Sequence, residues 1–277
     1  MTNVFRCDKV ALKLVIKMKK LVKKFYNKFT SYKTFEEVTL NDITYRVVEK
    51  RNSLSPKNTE RALVFKKPES SEMFFHSKIY TDSKKAFQPH GVAFQKIFDC
   101  WGKIFSLNNA LILGCAGCSF PRFLALRFPQ IKIIGVEYLK EFVALANKYF
   151  LIDDIKCQFK LLEADAFAFV ENNELTEKQD LIMVDIFDGN CCPDEVFSDA
   201  FIKALYGSMS DSSIVVFNFL KIKKEIISEF VENIKEPFDE KYIVAKDEKN
   251  ILLLIKSKEK DKVQKVIKNI EKELKKR

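Results

Sequence analysis

Carboxylates recur in this chain at one kind of place, the end of an apolar run. Glu137 closes the run Gln130 to Val136 (QIKIIGV), Asp165 follows Cys157 to Leu162, and Asp185 and Asp188 follow Leu181 to Val184. The first such run, Ala110 to Leu113, ends instead in the small residues Gly114, Cys115, Ala116, Gly117, Cys118 and Ser119, with Pro121 just beyond. A turn of small residues lets backbone N–H groups approach a polar or anionic ligand end, and the following helix N-terminus adds partial positive charge. Glu137 lies 23 residues after Gly114, close to the spacing of about 20 at which an acid accepts hydrogen bonds from a ribose diol. Asp165 could accept from an adenine amine, while Asp185 and Asp188 would face the reacting end, with His90 as a weaker candidate. Acids gathered this way favour a cationic adenosine ligand. Each of the aspartates could equally cap a helix, Asp165 and Asp188 above all.

These residues can meet only if the runs are strands of one sheet, because an open α/β sheet binds its ligand outside the carboxyl ends of its strands. The apolar periodicity supports that. Strands are expected at 110–113, 131–136, 157–162, 181–184 and 214–219, alternating with helices from about 121 and over 139–150, 198–206 and 223–234. A helix over 87–105 precedes them, and a hairpin at 242–245 and 251–255 ends the series. Before the helix, residues 44–48, 62–65 and 73–80 read as short strands separated by polar turns. Four units follow: a basic amphipathic helix (1–30), a small β-hairpin subdomain (31–85), a Rossmann-like domain (86–257) and a basic C-terminal helix (258–277). Five alternating strands closed by a hairpin resemble the class I AdoMet-dependent methyltransferases, whereas a dehydrogenase would continue into a second βαβαβ unit.

The resemblance narrows on particular stretches. LILGCAGCSFPR (111–122) resembles the GxGGGSLPR turn of spermidine synthase-like proteins, and the likeness continues through 133–150, 164–170 (ADAFAFV) and 180–189 (DLIMVDIFDG). It implies a Rossmann-like class I methyltransferase fold with a seven-stranded mixed sheet and a small N-terminal β subdomain. It also implies S-adenosyl-L-methionine (AdoMet), or decarboxylated AdoMet, held by Gly114, Cys115, Ala116, Gly117, Ser119, Glu137, Tyr138, Asp165, Ala166 and Asp185. His76 stands where many members carry a cofactor-contacting Gln. Two departures bear on the reaction. Aminopropyltransferases have an Asp where this chain has Gly117, and a Tyr-His-Glu where it has Pro89-His90-Gly91. Those acids bind a diamine, so the resemblance points to methyl transfer onto an unidentified acceptor, with Asp185 orienting it or taking its proton. Aminopropyl transfer is the alternative, and a non-catalytic nucleotide- or nucleic-acid-binding module is the third.

Composition sets outer bounds. With 277 residues, 47% of them hydrophobic, the chain can bury a large core and is not a disordered polymer. Two of seven cysteines lie inside the turn, where a disulfide would distort the backbone, and the number is odd. A reducing, cytoplasmic setting is expected. Cys115 and Cys118 have no second pair at ligand spacing, so no metal is expected. The net charge of +10 is concentrated in part at the two ends. Residues 4–28 place Val10, Leu12, Leu14, Val15, Leu21 and Val22 broadly on one helical face, and a terminal helix docked on the domain is the favoured reading. Weak contact of the basic ends with nucleic acid or an anionic membrane is the alternative, and a homodimer is allowed. A strand-end carboxylate such as Glu137 is expected to contribute little to the fold.

Overall fold

The computed structural model describes residues 30–52, 59–66, 73–188, 192–246 and 249–276. The basic helix expected over 1–30 lies outside them, except that Thr30 opens the first strand. That strand, β1 (Thr30–Leu40), pairs antiparallel with β2 (Ile43–Asn52), followed by β3 (Glu60–Lys66) and β4 (Met73–Tyr80) in a four-stranded meander. Asn41 and Asp42 both have positive φ, 47° and 64°, the geometry of a two-residue hairpin turn whose twist suits the flanking strands. β1 was invisible to the apolar pattern because TSYKTFEEVTL carries lysine and glutamate on its exposed positions.

The larger sheet is built from β5 (Asn109–Leu113), β6 (Lys132–Glu137), β7 (Gln158–Glu163), β8 (Gln179–Val184), β9 (Met209–Leu220), β10 (Glu240–Lys246) and β11 (Lys249–Ser257). Their order is β10-β11-β9-β8-β5-β6-β7. β5 to β9 are mutually parallel, and the β10–β11 hairpin joins β9 antiparallel. Buried on both faces, the central parallel strands read as unbroken apolar runs, ALIL in β5 and LIMV in β8. One face is covered by α1 (Val92–Gly102), α2 (Ser119–Arg127) and, through Ala146, α3 (Lys140–Tyr149); the other by α4 (Ala166–Glu171), α5 (Asp199–Ser208) and α6 (Lys224–Asn233). The C-terminal helix α7 (Lys260–Lys275) joins the first layer and buries Val263, Val266, Ile267, Ile270 and Leu274. Its lysines are the outer face of a core helix. The segment is therefore not a free basic arm.

The chain runs outward from β5 through β6 to β7, then returns to place β8 on the other flank of β5. The strand order reverses between β5 and β8, and such a switch opens a crevice at the carboxyl ends. The four-stranded sheet sits over this end. Tyr45, Val47, Leu63, Phe65 and Ile79 from one of its faces pack with Phe142, Leu145 and Phe150 of and just after α3.

Candidate functional site

The crevice is a cavity of about 610 Å³. Its floor comes from strand ends: Gly114 and Ala116 after β5, Glu137, Tyr138 and Leu139 after β6, Asp165 and Ala166 after β7, Asp185 to Asp188 after β8, and Asn218 and Leu220 of β9. Its roof is Leu40, Asn41, Ile43, Tyr45, Phe65, Phe75 and His76 of the N-terminal sheet, with His90 from the connection to α1. Ten of the thirteen predicted site residues thus line one cavity. Cys115, Gly117 and Ser119 do not reach it. The Cys115 thiol packs over Gly135, where an added Cβ would lie 2.6 Å from the sulfur. Ser119 is buried in the first turn of α2. A Cβ on Gly117 would meet the Phe150 ring at 2.5 Å, so that ring fills the space a side chain would need.

The turn is tight for a visible reason. Gly114 has φ +85°, and a Cβ there would come within 2.2 Å of the Asp185 carbonyl oxygen. Only glycine lets β5 and β8 exit side by side. Ala116 and Cys118 also hold positive φ, 42° and 53°, a strain for residues with a Cβ. Glu137 supports this backbone. Its carboxylate accepts the N–H groups of Cys115 at 3.1 Å, Ala116 at 2.8 Å and Leu139 at 3.2 Å, and it is 8% exposed. Burial pushes its carboxyl up, and those backbone donors pull it back in part. The expectation that Glu137 matters little to the fold is corrected here, because two of the turn's donors go to this carboxylate. Asp165 caps α4, its Oδ1 accepting from Ala168 N–H at 2.9 Å.

At the opposite wall Asn218 Nδ2 donates to Asp185 Oδ1 at 2.6 Å. Asn218 Oδ1 is buried with no hydrogen-bond partner, a group that a ligand donor would satisfy. Asn218 was missed in the sequence, although its place near the carboxyl end of β9 could have flagged it. His76 packs among the Tyr45, Phe65 and Phe142 rings, 5.0–5.6 Å from each. Burial lowers its pKa to about 4, and its Nε2 is buried without a partner. Nothing in the sequence spacing signals that aromatic group, because its members lie on β2, β3, β4 and α3. Of the described residues lining the cavity, Glu137, Asp165, Asp185, Asp188 and Glu195 are acidic, and none is lysine or arginine.

Cys100, Cys115, Cys118, Cys157 and Cys192 are free thiols. Contact with the Cys118 thiol, and then burial, hold Cys115 well above the ordinary thiol range, so it is a packing residue. Among the described residues no helix is long and apolar enough to cross a membrane, and no cluster of His, Cys, Asp and Glu could hold a metal ion.

No family model matches the sequence. A polyamine aminopropyltransferase from Chromobacterium violaceum is 26% identical over 136 residues, 49% of this chain and 51% of that protein. The chain thus spans about half the length of the curated relatives it matches. A crystal structure of a probable spermidine synthase from Corynebacterium glutamicum superposes with a TM-score of 0.62 at 15% identity, covering 86% of each chain. Human methyltransferase-like protein 13, solved in complex with SAH, superposes with a TM-score of 0.52 at 18% identity, over 67% of this chain and 90% of that one. Sheet order and likeness together define a Rossmann-like class I methyltransferase fold with an added N-terminal sheet. Within that class the chain is similar in sequence to polyamine aminopropyltransferases and in fold to a probable spermidine synthase.

Proposed function

We propose that the chain is an AdoMet-dependent transferase that moves a methyl group to a small nucleophilic acceptor. One observation carries the reading: a chain of net charge +10 presents at its switch point a cavity that, among the described residues, is lined by five carboxylates and no lysine or arginine. Such a wall attracts a sulfonium or an amine and repels phosphate. A nucleic-acid acceptor is thereby disfavoured, along with the third reading of the sequence. The residues fit the cofactor. Glu137, Tyr138, Asp165 and Ala166 offer a carboxylate, an aromatic side chain and acceptors for an adenosine, and Asn218 Oδ1 is a buried acceptor awaiting a donor.

Bound AdoMet would supply an electrophilic methyl group on sulfur. The protein's part is then positioning and water exclusion. Asp185, steadied by Asn218, is placed to orient the acceptor and take its proton. Asp188 and His90 line the same cavity, and the rings of Tyr45, Phe65 and Phe75 roof it.

Aminopropyl transfer from decarboxylated AdoMet is the second reading, favoured by the aminopropyltransferase similarity. Against it stands Gly117, where the Phe150 ring occupies the place of the diamine-binding acid that the resemblance implies. Calorimetric titration with AdoMet, decarboxylated AdoMet and methylthioadenosine separates the two. AdoMet should bind more tightly than its decarboxylated form, with no spermidine made from putrescine. Asp185→Asn should leave AdoMet affinity within about tenfold, roughly 1.4 kcal/mol, while abolishing turnover that needs proton removal. Spermidine formation by the wild type, lost in that variant, would replace methyl transfer by the second reading. Failure to bind all three ligands would remove both.

A further inference from the structure

Residues 81–91 join the four-stranded sheet to the larger one, running from β4 to α1 without helix or strand. This connection carries His90 to the cavity, and two glutamines hold it. Gln88 and Gln95 are 1% and 0% exposed, and a buried amide is costly unless its polar atoms are paired. Here all of them are. Gln88 Oε1 accepts the N–H of Tyr80, the last residue of β4, at 3.0 Å, and its Nε2 donates to the carbonyls of Lys85 at 2.6 Å and Ala86 at 3.0 Å. Gln95 Oε1 accepts the N–H of Gln88 at 2.7 Å, and its Nε2 donates to the carbonyls of Gln88 at 3.2 Å and His90 at 2.5 Å. A backbone N–H only donates and a carbonyl only accepts, so each amide has one allowed orientation.

A fully paired polar network fixes one path for the chain, which apolar packing alone does less sharply. The residues on either side of His90 are constrained as well. Pro89 sets its own φ near about −65°. Gly91 turns the chain with φ +65°, and a Cβ there would meet the Phe120 ring at 2.6 Å. His90 stands between the two while Gln95, in the first turn of α1, holds its carbonyl. The paired amides thus clasp the end of β4 to the start of α1 and carry His90 between them.

We infer that Gln95, backed by Gln88, is a positioning residue of the site: the clasp locks the connection and holds His90 at the cavity, so that this part of the lining is formed before a ligand arrives. What His90 meets there rests on the transferase reading; the lock itself does not.

The test uses the full chain with isotope-labelled histidine. It contains only two histidines, so a His76→Gln variant assigns both sets of resonance signals. Gln95→Met keeps the side chain's length and helix preference while removing its three bonds. Ile97→Val, a core change in the same helix, lowers stability without touching the clasp. In ligand-free protein the His90 N–H should have an order parameter of about 0.85 in wild type and in Ile97→Val, and below about 0.6 in Gln95→Met. Added SAH should move the wild-type His90 ring signal, and move it at least about threefold less in Gln95→Met. In the wild type alone, the Gln88 N–H should exchange with solvent on the order of a thousandfold more slowly than in an unfolded chain. Fast exchange there, an unchanged order parameter in Gln95→Met, or an equal fall in Ile97→Val would overturn the inference. So would SAH that shifts the His76 ring and leaves His90 unmoved. Failure of SAH to bind at all would remove the transferase reading, and the ligand-free measurements would still decide the clasp.

Discussion

Glu137 shows how a residue chosen for ligand chemistry can belong to the fold as well. Its three backbone partners lose their acceptor in Glu137→Ala, leaving buried N–H groups unsatisfied. Denaturant unfolding of the ligand-free protein should show a loss of about 1–3 kcal/mol, and Glu137→Gln, which keeps one acceptor oxygen, should lose less. No change in either variant would mean that the turn stands without the carboxylate. His76 gives a second residue-scale expectation. Burial lowers its pKa from 6.5 to about 4, so it is neutral when folded. Between those values the unfolded chain binds a proton that the folded one does not. Its stabilising contribution is therefore complete above pH 6.5 and lost as pH falls toward 4. Glu137, whose carboxyl is raised, acts in the opposite sense in the acid range. Comparison with His76→Gln removes that background. The stability difference between wild type and variant should shrink by up to about 3 kcal/mol from pH 7 to pH 4, measured by urea unfolding at each pH.

Among the elements, the turn between β5 and α2 is the most constrained. It is pressed by Asp185 of the β8 end on one side and by Phe150 on the other. Restoring the acid of the aminopropyltransferase pattern by Gly117→Asp would force a side chain into the Phe150 ring, an overpacking that costs about 1–3 kcal/mol. Phe150→Ala alone costs about 3–5 kcal/mol through a cavity. Combined, the two changes should relieve each other by at least about 1 kcal/mol in a double-mutant cycle. Additive losses would show that the ring does not fill the space beside Gly117.

The whole molecule is tied together by an element that composition presents as a charged tail. Ile270 and Val266 of α7 are fully buried against the layer that holds Ile97 and Phe98 of α1. Ile270→Ala should cost about 2–5 kcal/mol in thermal or chemical unfolding. Replacement of surface-side Lys268 should change stability by less than about 0.5 kcal/mol. If α7 were a detachable arm, Ile270→Ala would be as silent as the lysine change. The chain carries a net charge of +10, yet the charged residues among the described cavity lining are acidic. Net charge and local charge therefore differ in sign at the cavity.

The sequence by itself determined the alternation of strands and helices, the carboxyl-end placement of Glu137, Asp165, Asp185 and Asp188, and the glycine turn at Gly114. Those features are local: each follows from a run of neighbouring residues whose periodicity or conformational freedom is written in order. The tertiary structure decided what depends on residues far apart in the chain. It turned the carboxylate of Glu137 onto the backbone of Cys115 and Ala116, set the Phe150 ring in the space beside Gly117, and brought Asn218 against Asp185. It also gathered Tyr45, Phe65, Phe142 and His76 into one aromatic group and sealed α7 into the core. Hydrogen bonds and ring contacts of this kind have no period along the sequence, since they are chosen by the strand order that brings their elements together.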